Sequence, residues 1–304
     1  MVMMHRRACL SLILMIGLVL SVGCGVSRKL AGKVMPGGSE LKKRVMVTTP
    51  LDLASLGPQR IAAVKQDFTV RLGKSNDVLV FSYENPLEAA LANKPPFGPG
   101  APREIIDAAE RERMHAVVTW SLAPIDVDVR REGIWPFRET SRFYATTVIV
   151  NVVDVSQGAI IATHTESREF SIPEDEAEPA GLDDPIASEL VNEIWDANLP
   201  DLLEAQVDNT IESLKEAPWR AILVSTEGEG LVIPAGHDTG IKVGDRFDVF
   251  TKGESVTAAG GKSYDLVGRR IGKIEVTGVT DRQATFRALS QMNLEAGMIV
   301  QHRS

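Results

Sequence analysis

Cysteine is nearly absent from this chain: its 304 residues contain only two, Cys9 and Cys24. Cys9 lies in an N-terminal apolar segment that we expect to be removed on export, so the mature chain keeps one cysteine. One cysteine cannot form an intrachain disulfide or a thiolate metal site, and it leaves no cysteine nucleophile deeper in the fold. Its scarcity therefore excludes disulfide scaffolds and thiolate chemistry.

Basic residues are outnumbered as well. The chain has 33 lysines and arginines against 41 aspartates and glutamates, a formal net charge of -8. Without residues 1–23, which carry two arginines and no acid, the balance is 31 − 41 = −10. A body of this charge has no net attraction to nucleic acid or to anionic lipid, so nucleic acid is not an expected partner.

Long apolar runs are confined to the N-terminus. Arg6 and Arg7 precede the apolar stretch Ala8–Val22, which is shorter than the roughly 20 residues that a helix needs to cross about 30 Å of hydrocarbon. A basic start followed by a short apolar segment is typical of a cleaved export signal. We therefore predict that residues 1–23 are a signal peptide and that the remaining chain is globular.

The segment Leu20–Gly25 resembles the lipobox of bacterial lipoproteins, with Ser21 where leucine is usual. The resemblance implies that Cys24 receives diacylglycerol and becomes the mature N-terminus. Retention in the inner membrane usually uses aspartate after this cysteine, so Gly25 implies anchoring at the periplasmic face of the outer membrane. An ordinary signal peptide with an incidental cysteine is the alternative.

Side chains that could form a catalytic or metal site are not grouped in the sequence. The acidic segment 174–184 lacks the fixed positions of a calcium loop and predicts a solvated loop. Gly228–Gly230 and Gly260–Ser263 do not complete a phosphate-binding motif and are expected to be turns. The sequence therefore predicts a protein that is not an enzyme, with no cofactor, no metal and no small-molecule substrate. Four histidines have no metal-ligand spacing and are expected on the surface or in strands: His115, His164, His237 and His302.

Composition and periodicity divide the remaining chain into a flexible tether at 24–44, an α/β domain at 45–216 and a β domain at 217–304. The α/β domain opens with alternating strands and helices, and antiparallel hairpins follow from Pro124 to Phe170. A helix from Pro185 to about Lys215, broken near Pro200, closes this domain. The early elements are predicted as strand 44–49, helix 58–72, strand 78–82, helix 85–93, helix 102–114 and strand 116–122.

The β domain consists of short β-prone runs separated by glycines. This pattern predicts a small barrel or sandwich, which we expect to fold independently as residues 219–304. Gly240 and Gly244 allow two close reversals and Asp245 can cap the turn between them. Phe247, Val249 and Phe250 are expected to enter the core. The predicted fold class is α+β: an N-terminal α/β sandwich with a mixed sheet and antiparallel hairpins, then a small all-β, barrel-like domain.

Two stretches resemble a family of bacterial envelope proteins. The helix before His115, the strand His115–Ser121 and the hairpin Val148–Gly158 are similar to those of the curli secretion lipoprotein CsgG, the middle domain of FlgT and the N-terminal domain of TolB. Trp120 stands where those proteins usually have a small residue. Further on, Thr239–Phe250 and Gly272–Val279 resemble the turn and strands of the FlgT C-terminal domain.

This resemblance implies a scaffold or assembly role at the outer membrane, in the flagellar basal body or a secretion apparatus. Envelope proteins are the implied partners, and a homo-oligomeric ring is one implied arrangement. Two alternatives remain open: a CsgG-like secretion channel subunit, and a lipoprotein that activates or binds an envelope enzyme. Asp126 and Asp128, together with strands shorter than the roughly 9–11 residues of a membrane-spanning strand, argue against the channel.

One loop suggests a partner contact. Trp135 and Phe137 lie between two period-two segments and therefore at the tip of a hairpin, with Arg131 and Arg138 beside them. Aromatic residues and arginine are enriched at the centres of protein interfaces. The alternative is a tip that folds back onto its own domain.

Overall fold

The structure, a computed structural model, describes residues 41–83, 102–173, 188–228, 230–257 and 263–302. Residues 41–304 form one compact unit. The α+β fold class predicted from the sequence is confirmed. Cys24, the predicted helix 85–93 and the acidic segment 174–184 lie outside the described residues.

A mixed sheet organises the first part of this unit. Its strand order is β3-β1-β4-β6-β5, with β2 beside β4 and β7 beside β6. The central strand β1 is parallel to both of its neighbours, whereas β6 is antiparallel to β4, β5 and β7. The strands are β1 (Lys43–Val47), β2 (Leu51–Asp52), β3 (Val78–Ser82), β4 (Ala116–Leu122), β5 (Asp126–Glu132), β6 (Glu139–Asp154) and β7 (Ala159–Pro173).

Helices cover both faces of this sheet, which explains why every residue of β1 and β4 is buried. The helices are α1 (Pro58–Leu72), α2 (Arg103–Arg111) and α3 (Ser188–Glu216). α1 and α3 pack on one face and α2 on the other. Trp120 on β4 fills the first of these cores, where its ring stacks on Phe68 at 4.6 Å and its Nε1 donates to the Thr48 carbonyl at 2.9 Å.

The predicted break in the long helix near Pro200 is wrong. α3 is continuous, with Pro200 inside it. Trp195, Leu202 and Leu203 on either side of the proline are all fully buried against the sheet. Packing of the apolar face therefore outweighs the one N–H that the proline removes.

An antiparallel sheet forms the C-terminal part, in the order β13-β12-β11-β14-β8, and β9 and β10 form a separate hairpin. Its two longest strands were predicted as short runs. The glycines taken as breaks lie inside these strands: a Cβ on Gly253 would approach the Leu266 carbonyl oxygen to 2.4 Å, so glycine permits close strand contact there. The strands are β8 (Arg220–Ile222), β9 (Val224–Thr226), β10 (Gly230–Val232), β11 (Arg246–Thr257), β12 (Ser263–Val279), β13 (Ala284–Ala288) and β14 (Ile299–His302).

The turn before β11 follows the sequence prediction with one correction. Gly240 and Gly244 have φ of 90° and 95°, and the Asp245 carboxylate accepts a hydrogen bond from the Lys242 N–H at 2.8 Å. Phe247 is fully buried in the C-terminal core. Phe250 is only half-buried, because a register shift after Val249 and the alternation of the strand place it outside that core.

The first residues of the compact unit contact both the mixed sheet and the C-terminal sheet. β1 begins at Lys43, inside the segment predicted as a tether. Just before it, Leu41 packs in the core of the C-terminal sheet and the Lys42 N–H donates to the Thr239 carbonyl at 2.8 Å. The N-terminal segment therefore helps to complete the core of residues 219–304.

Candidate functional site

A three-stranded arm extends from the mixed sheet. β6 pairs with β4 through residues 148–154 and with β5 through residues 139–145, while β7 follows its other edge throughout. We call this extension the arm. It consists of β5, the segment of β6 that pairs with β5, and the segment of β7 that pairs with that part of β6. The seven β6 residues that pair with β5 correspond to about 23 Å at ~3.3 Å per residue. The hairpin tip therefore lies at the end of this extension, beyond the end of β4.

Charged side chains join the three strands of the arm. The Arg130 guanidinium on β5 binds both carboxylate oxygens of Glu169 on β7, at 2.7 and 3.0 Å, and Asp128 at 2.8 Å. It also lies 4.6 Å from the centre of the Phe143 ring on β6. Hydrogen bonding to Arg130 holds the pKa of the Glu169 and Asp128 carboxyls below their usual values. This bidentate contact fixes the strands relative to one another.

The hairpin turns sharply at Gly133. Its φ is +99°, in the region that favours glycine, and a Cβ at this position would lie 2.6 Å from the Phe137 carbonyl oxygen. The turn is closed by a 2.7 Å hydrogen bond from the Phe137 N–H to the Ile134 carbonyl. Glycine is therefore required for the turn that sets the direction of the following side chains.

Three large apolar side chains of this turn face solvent. Ile134 is 85% exposed, Trp135 79% and Phe137 83%. We call these three residues the tip. Isolated exposed apolar residues are common on protein surfaces, whereas a contiguous exposed patch points to a contact. Among the described residues, these three side chains are exposed rather than packed against the body of the domain.

The residues around the tip carry balanced charge. Arg131 and Arg138 are exposed beside it, as predicted from the sequence, and so are Glu132 and Glu139. Glu132 and Glu139 are direct cross-strand neighbours, an arrangement of like charges that destabilises a hairpin. Two positive and two negative charges leave no net charge at this end of the arm. Apolar burial, rather than attraction of one charge sign, is therefore the dominant interaction that the tip offers.

A second feature, a cleft of about 260 Å³, lies between the end of α2 and strand β8. Sequence reasoning did not find it, because its walls come from segments far apart in the chain. The lining includes apolar side chains and several arginines. We call this space the cleft. The lining residues used in the argument below are Met114, Val155, Ile222, Val224, Pro234 and Arg113.

His115, which also lines the cleft, was expected on the surface or in a strand and is instead buried just before β4. Its Nδ1 accepts a hydrogen bond from the Arg44 backbone N–H at 2.9 Å, and its ring lies 4.7 Å from that of Trp219. Burial, and then the nearby charges of Arg44 and Lys43, lower the pKa of His115 to about 3. The ring is therefore neutral at neutral pH.

Arg44 connects the two sheets beneath this histidine. Its side chain is 0% exposed and forms a 2.7 Å ion pair with Asp238, which follows the hairpin of β9 and β10. A second nitrogen donates to the Pro234 carbonyl at 2.7 Å. Burial lowers the pKa of Arg44, although its hydrogen bond to Asp238 opposes the shift. Arg44 therefore links β1 to the C-terminal part of the chain.

The other predicted histidines lie apart from one another. His164 pairs with the Ser213 hydroxyl at 2.7 Å, and His302 packs edge-on against Phe247 at 5.3 Å. His237 is exposed at a 3-10 turn. Among the described residues, no three acidic, histidine or cysteine side chains are close enough together to hold a metal ion. Within the same residues, no helix is long and apolar enough to cross a membrane.

No protein-family model and no curated protein matches the sequence significantly. Solved structures of low similarity do match. A Helicobacter pylori protein described as a homolog of a neuraminyllactose-binding hemagglutinin has 10% identity and a TM-score of 0.37, covering 60% of this chain and 97% of its own. The PelC dodecamer from Paraburkholderia phytofirmans has 13% identity and a TM-score of 0.28, with 60% and 93% covered.

Lipoprotein GNA1162 from Neisseria meningitidis is similar at 11% identity and a TM-score of 0.28, covering 55% of this chain and 99% of its own. Similarity at this level does not define a family or a function. The resemblance to CsgG and FlgT, and the flagellar role that it implies, gains no support from these structures.

Proposed function

We propose that this chain is a lipid-anchored protein of the bacterial outer membrane that faces the periplasm and acts as a non-enzymatic assembly protein, binding a protein partner through the tip. The observation that carries this proposal is the exposure of Ile134, Trp135 and Phe137 at the end of the arm. The signal sequence and lipobox support the anchor. The CsgG and FlgT resemblance supports an envelope machine, such as a flagellar basal body or secretion apparatus, as the setting.

The tip has the chemistry of an interface centre. An aromatic side chain that becomes buried removes about 150–250 Å² from water. At ~25 cal/mol per Å², burying about 150 Å² corresponds to roughly 4 kcal/mol per ring before the costs of association. Because Gly133 and the Arg130 contacts fix the arm before a partner arrives, less ordering is needed on binding.

A partner protein explains the tip better than a role within the fold. Truncating a buried aromatic side chain costs about 3–5 kcal/mol of stability, but Trp135 and Phe137 are too exposed to contribute in that way. The non-enzymatic part of the proposal rests on the scattered histidines, which occupy separate environments. His115 is held neutral and hydrogen-bonded to the backbone, so it is a poor general base near neutral pH.

The test is a double variant, Trp135→Ala with Phe137→Ala, compared with wild type in two measurements. The first is the thermal midpoint of the purified protein, which we expect to change little because exposed substitutions usually alter stability by less than about 0.5 kcal/mol. The second is co-purification of partners from detergent-solubilised envelopes, which we expect to be lost.

The matched control is Val243→Ala with Leu266→Ala. These residues are also exposed, at 66% and 44%, but lie on the C-terminal part of the chain. We expect this control to keep the partners. A fallen thermal midpoint with partners retained in the tip variant would refute the contact, as would equal loss of partners in both double variants.

A further inference from the structure

Arg113 adopts a backbone conformation that is unfavourable for its type. It follows α2 and has φ of 60°, in the left-handed region. The Met114 N–H reaches back to the Ala109 carbonyl at 2.9 Å, and the Arg113 N–H to the Glu110 carbonyl at 3.0 Å. This helix-ending motif normally has glycine at the left-handed position, because a Cβ there costs roughly 1–2 kcal/mol. The chain has an arginine at the strained position.

The same arginine lines the cleft. It is half-buried, and within the described part of the chain its guanidinium has no hydrogen-bond or ion-pair partner. The fully buried Arg44 is close by, donating to the Arg113 carbonyl at 3.5 Å. Arg44 is already paired with Asp238, whereas the Arg113 guanidinium has no charge partner among the described residues, which is unfavourable for a partly buried cation. Strain and missing charge compensation therefore occur together in one residue.

The remaining charges of the cleft do not compensate for Arg113. Arg111 is exposed at the rim, whereas Arg220 is already bound to Asp154 and Gln157. Among the described residues of the lining, Glu110 is the acidic one, and burial raises the pKa of its carboxyl. The cleft therefore has an excess of positive charge at its mouth.

The walls beneath these charges are apolar. Met114 and Val155 come from the first sheet and its connections, and Ile222, Val224 and Pro234 from the C-terminal part. The volume of about 260 Å³ is slightly below the usual range of small-ligand pockets, ~300–1,000 Å³. This space suits a narrow apolar chain.

We propose that the cleft binds a single-chain anionic amphiphile, with the anionic head on Arg113 and the apolar chain against Met114, Val155, Ile222, Val224 and Pro234. Carboxylate and phosphate heads share the required chemistry, since both accept paired hydrogen bonds from guanidinium. An extended peptide is the weaker occupant, because the neighbouring edge strand β8 has only three residues with which to pair. The inference is independent of the tip.

The proposal is tested by isothermal titration of the purified protein with dodecanoate and with dodecyl phosphate, both below their micelle-forming concentrations. We expect saturable binding at one site per chain by at least one of the two, and their relative affinities identify the preferred head. Inorganic phosphate serves as a probe without an apolar tail. Dodecyltrimethylammonium serves as a probe with the same tail and a head of opposite charge. Neither is expected to bind measurably.

The decisive variant is Arg113→Gly. It removes the guanidinium and relieves the left-handed strain, so we expect a higher thermal midpoint together with at least tenfold weaker amphiphile binding. Arg113→Lys should keep part of the affinity because it keeps the charge. Arg269→Ala, which removes an exposed arginine of β12 that is not among the lining residues, should bind like wild type.

Four outcomes would overturn the proposal. They are no saturable binding of either anionic probe, unchanged affinity in Arg113→Gly, equal binding of the cationic probe, and equal binding of inorganic phosphate alone. Tighter binding of an apolar tetrapeptide with a free carboxyl terminus than of either amphiphile would also overturn it, in favour of a peptide site.

Discussion

At the scale of single residues, the polar groups that connect the two sheets are buried and hydrogen-bonded. In the sequence, Arg44 is the last residue of the basic run Lys42–Arg44, and His115 comes just before a strand. In the fold, both are buried next to the cleft and hydrogen-bonded to each other. Sequence could not reveal this, because their partners lie far away: Asp238 is 194 positions from Arg44. The sequence singles out Trp135 and Phe137 because these aromatic residues interrupt a local period-two pattern, and their role in a contact stays a prediction.

The burial of His115 predicts a pH dependence of stability. Its pKa is lowered to about 3 in the folded state, against about 6.5 when unfolded. Because the folded pKa is depressed, the stabilising contribution of the neutral ring is fully present above about pH 6.5 and is lost as the pH falls from there toward 3. The loss by pH 5 is on the order of 2 kcal/mol.

The check is chemical denaturation of wild type and His115→Asn at pH 7 and pH 5. Asparagine keeps an acceptor for the Arg44 N–H but does not titrate. We expect the variant to be less stable at pH 7 and to lose less stability on acidification. An identical pH dependence in both proteins would show that His115 is not the titrating group.

At the scale of elements, strand and helix identities followed the hydrophobic periodicity, whereas the lengths of the longest strands did not. α1 begins and ends where predicted, because Pro58 and the spacing of Ile61, Val64 and Phe68 define it locally. β6 reaches 16 residues because its two halves pair with different partners, which local sequence does not show. The sequence predicts breaks at the glycines in β11 and β12, because the close strand contacts that these glycines permit depend on the tertiary fold.

The arm predicts a specific effect of its turn glycine. Gly133→Ala places a Cβ 2.6 Å from the Phe137 carbonyl oxygen at a φ of +99°, so the turn must change shape. We expect a modest loss of stability, about 1–2 kcal/mol, and reduced partner co-purification although Trp135 and Phe137 are intact.

Gly244→Ala is the matched control for this prediction. Gly244 also has positive φ, at +95°, but a Cβ there meets nothing within 4 Å and the turn is remote from the arm. A similar loss of stability without loss of partners is expected. Full partner binding by Gly133→Ala would show that the direction of the tip is unimportant.

At the scale of the whole molecule, the proposed function combines a lipid anchor at Cys24 with a partner contact at the tip. The predicted fold class is confirmed, whereas the predicted independence of residues 219–304 stays a prediction. Leu41, Lys42 and Arg44 all contribute to the C-terminal core or its edge. Sequence did not reveal these contacts, because the segment has the composition of a tether.

The anchor itself is tested at Cys24. Cys24→Ser removes the thiol that would be acylated, so we expect loss of labelling by an alkyne fatty acid and release of the protein from the membrane fraction. Label retained on the variant would contradict the lipobox assignment. A chain that loses the label but stays with the membrane would show that lipid is not the main anchor.

The most direct measurement of the central claim is photo-crosslinking in living cells from a photoreactive amino acid at position 137. The tip contact predicts a discrete covalent adduct between this chain and an envelope protein. The same amino acid at position 266, which is exposed on β12, should not give that adduct. No adduct from position 137, or the same adducts from both positions, would contradict the claim that the tip binds a partner.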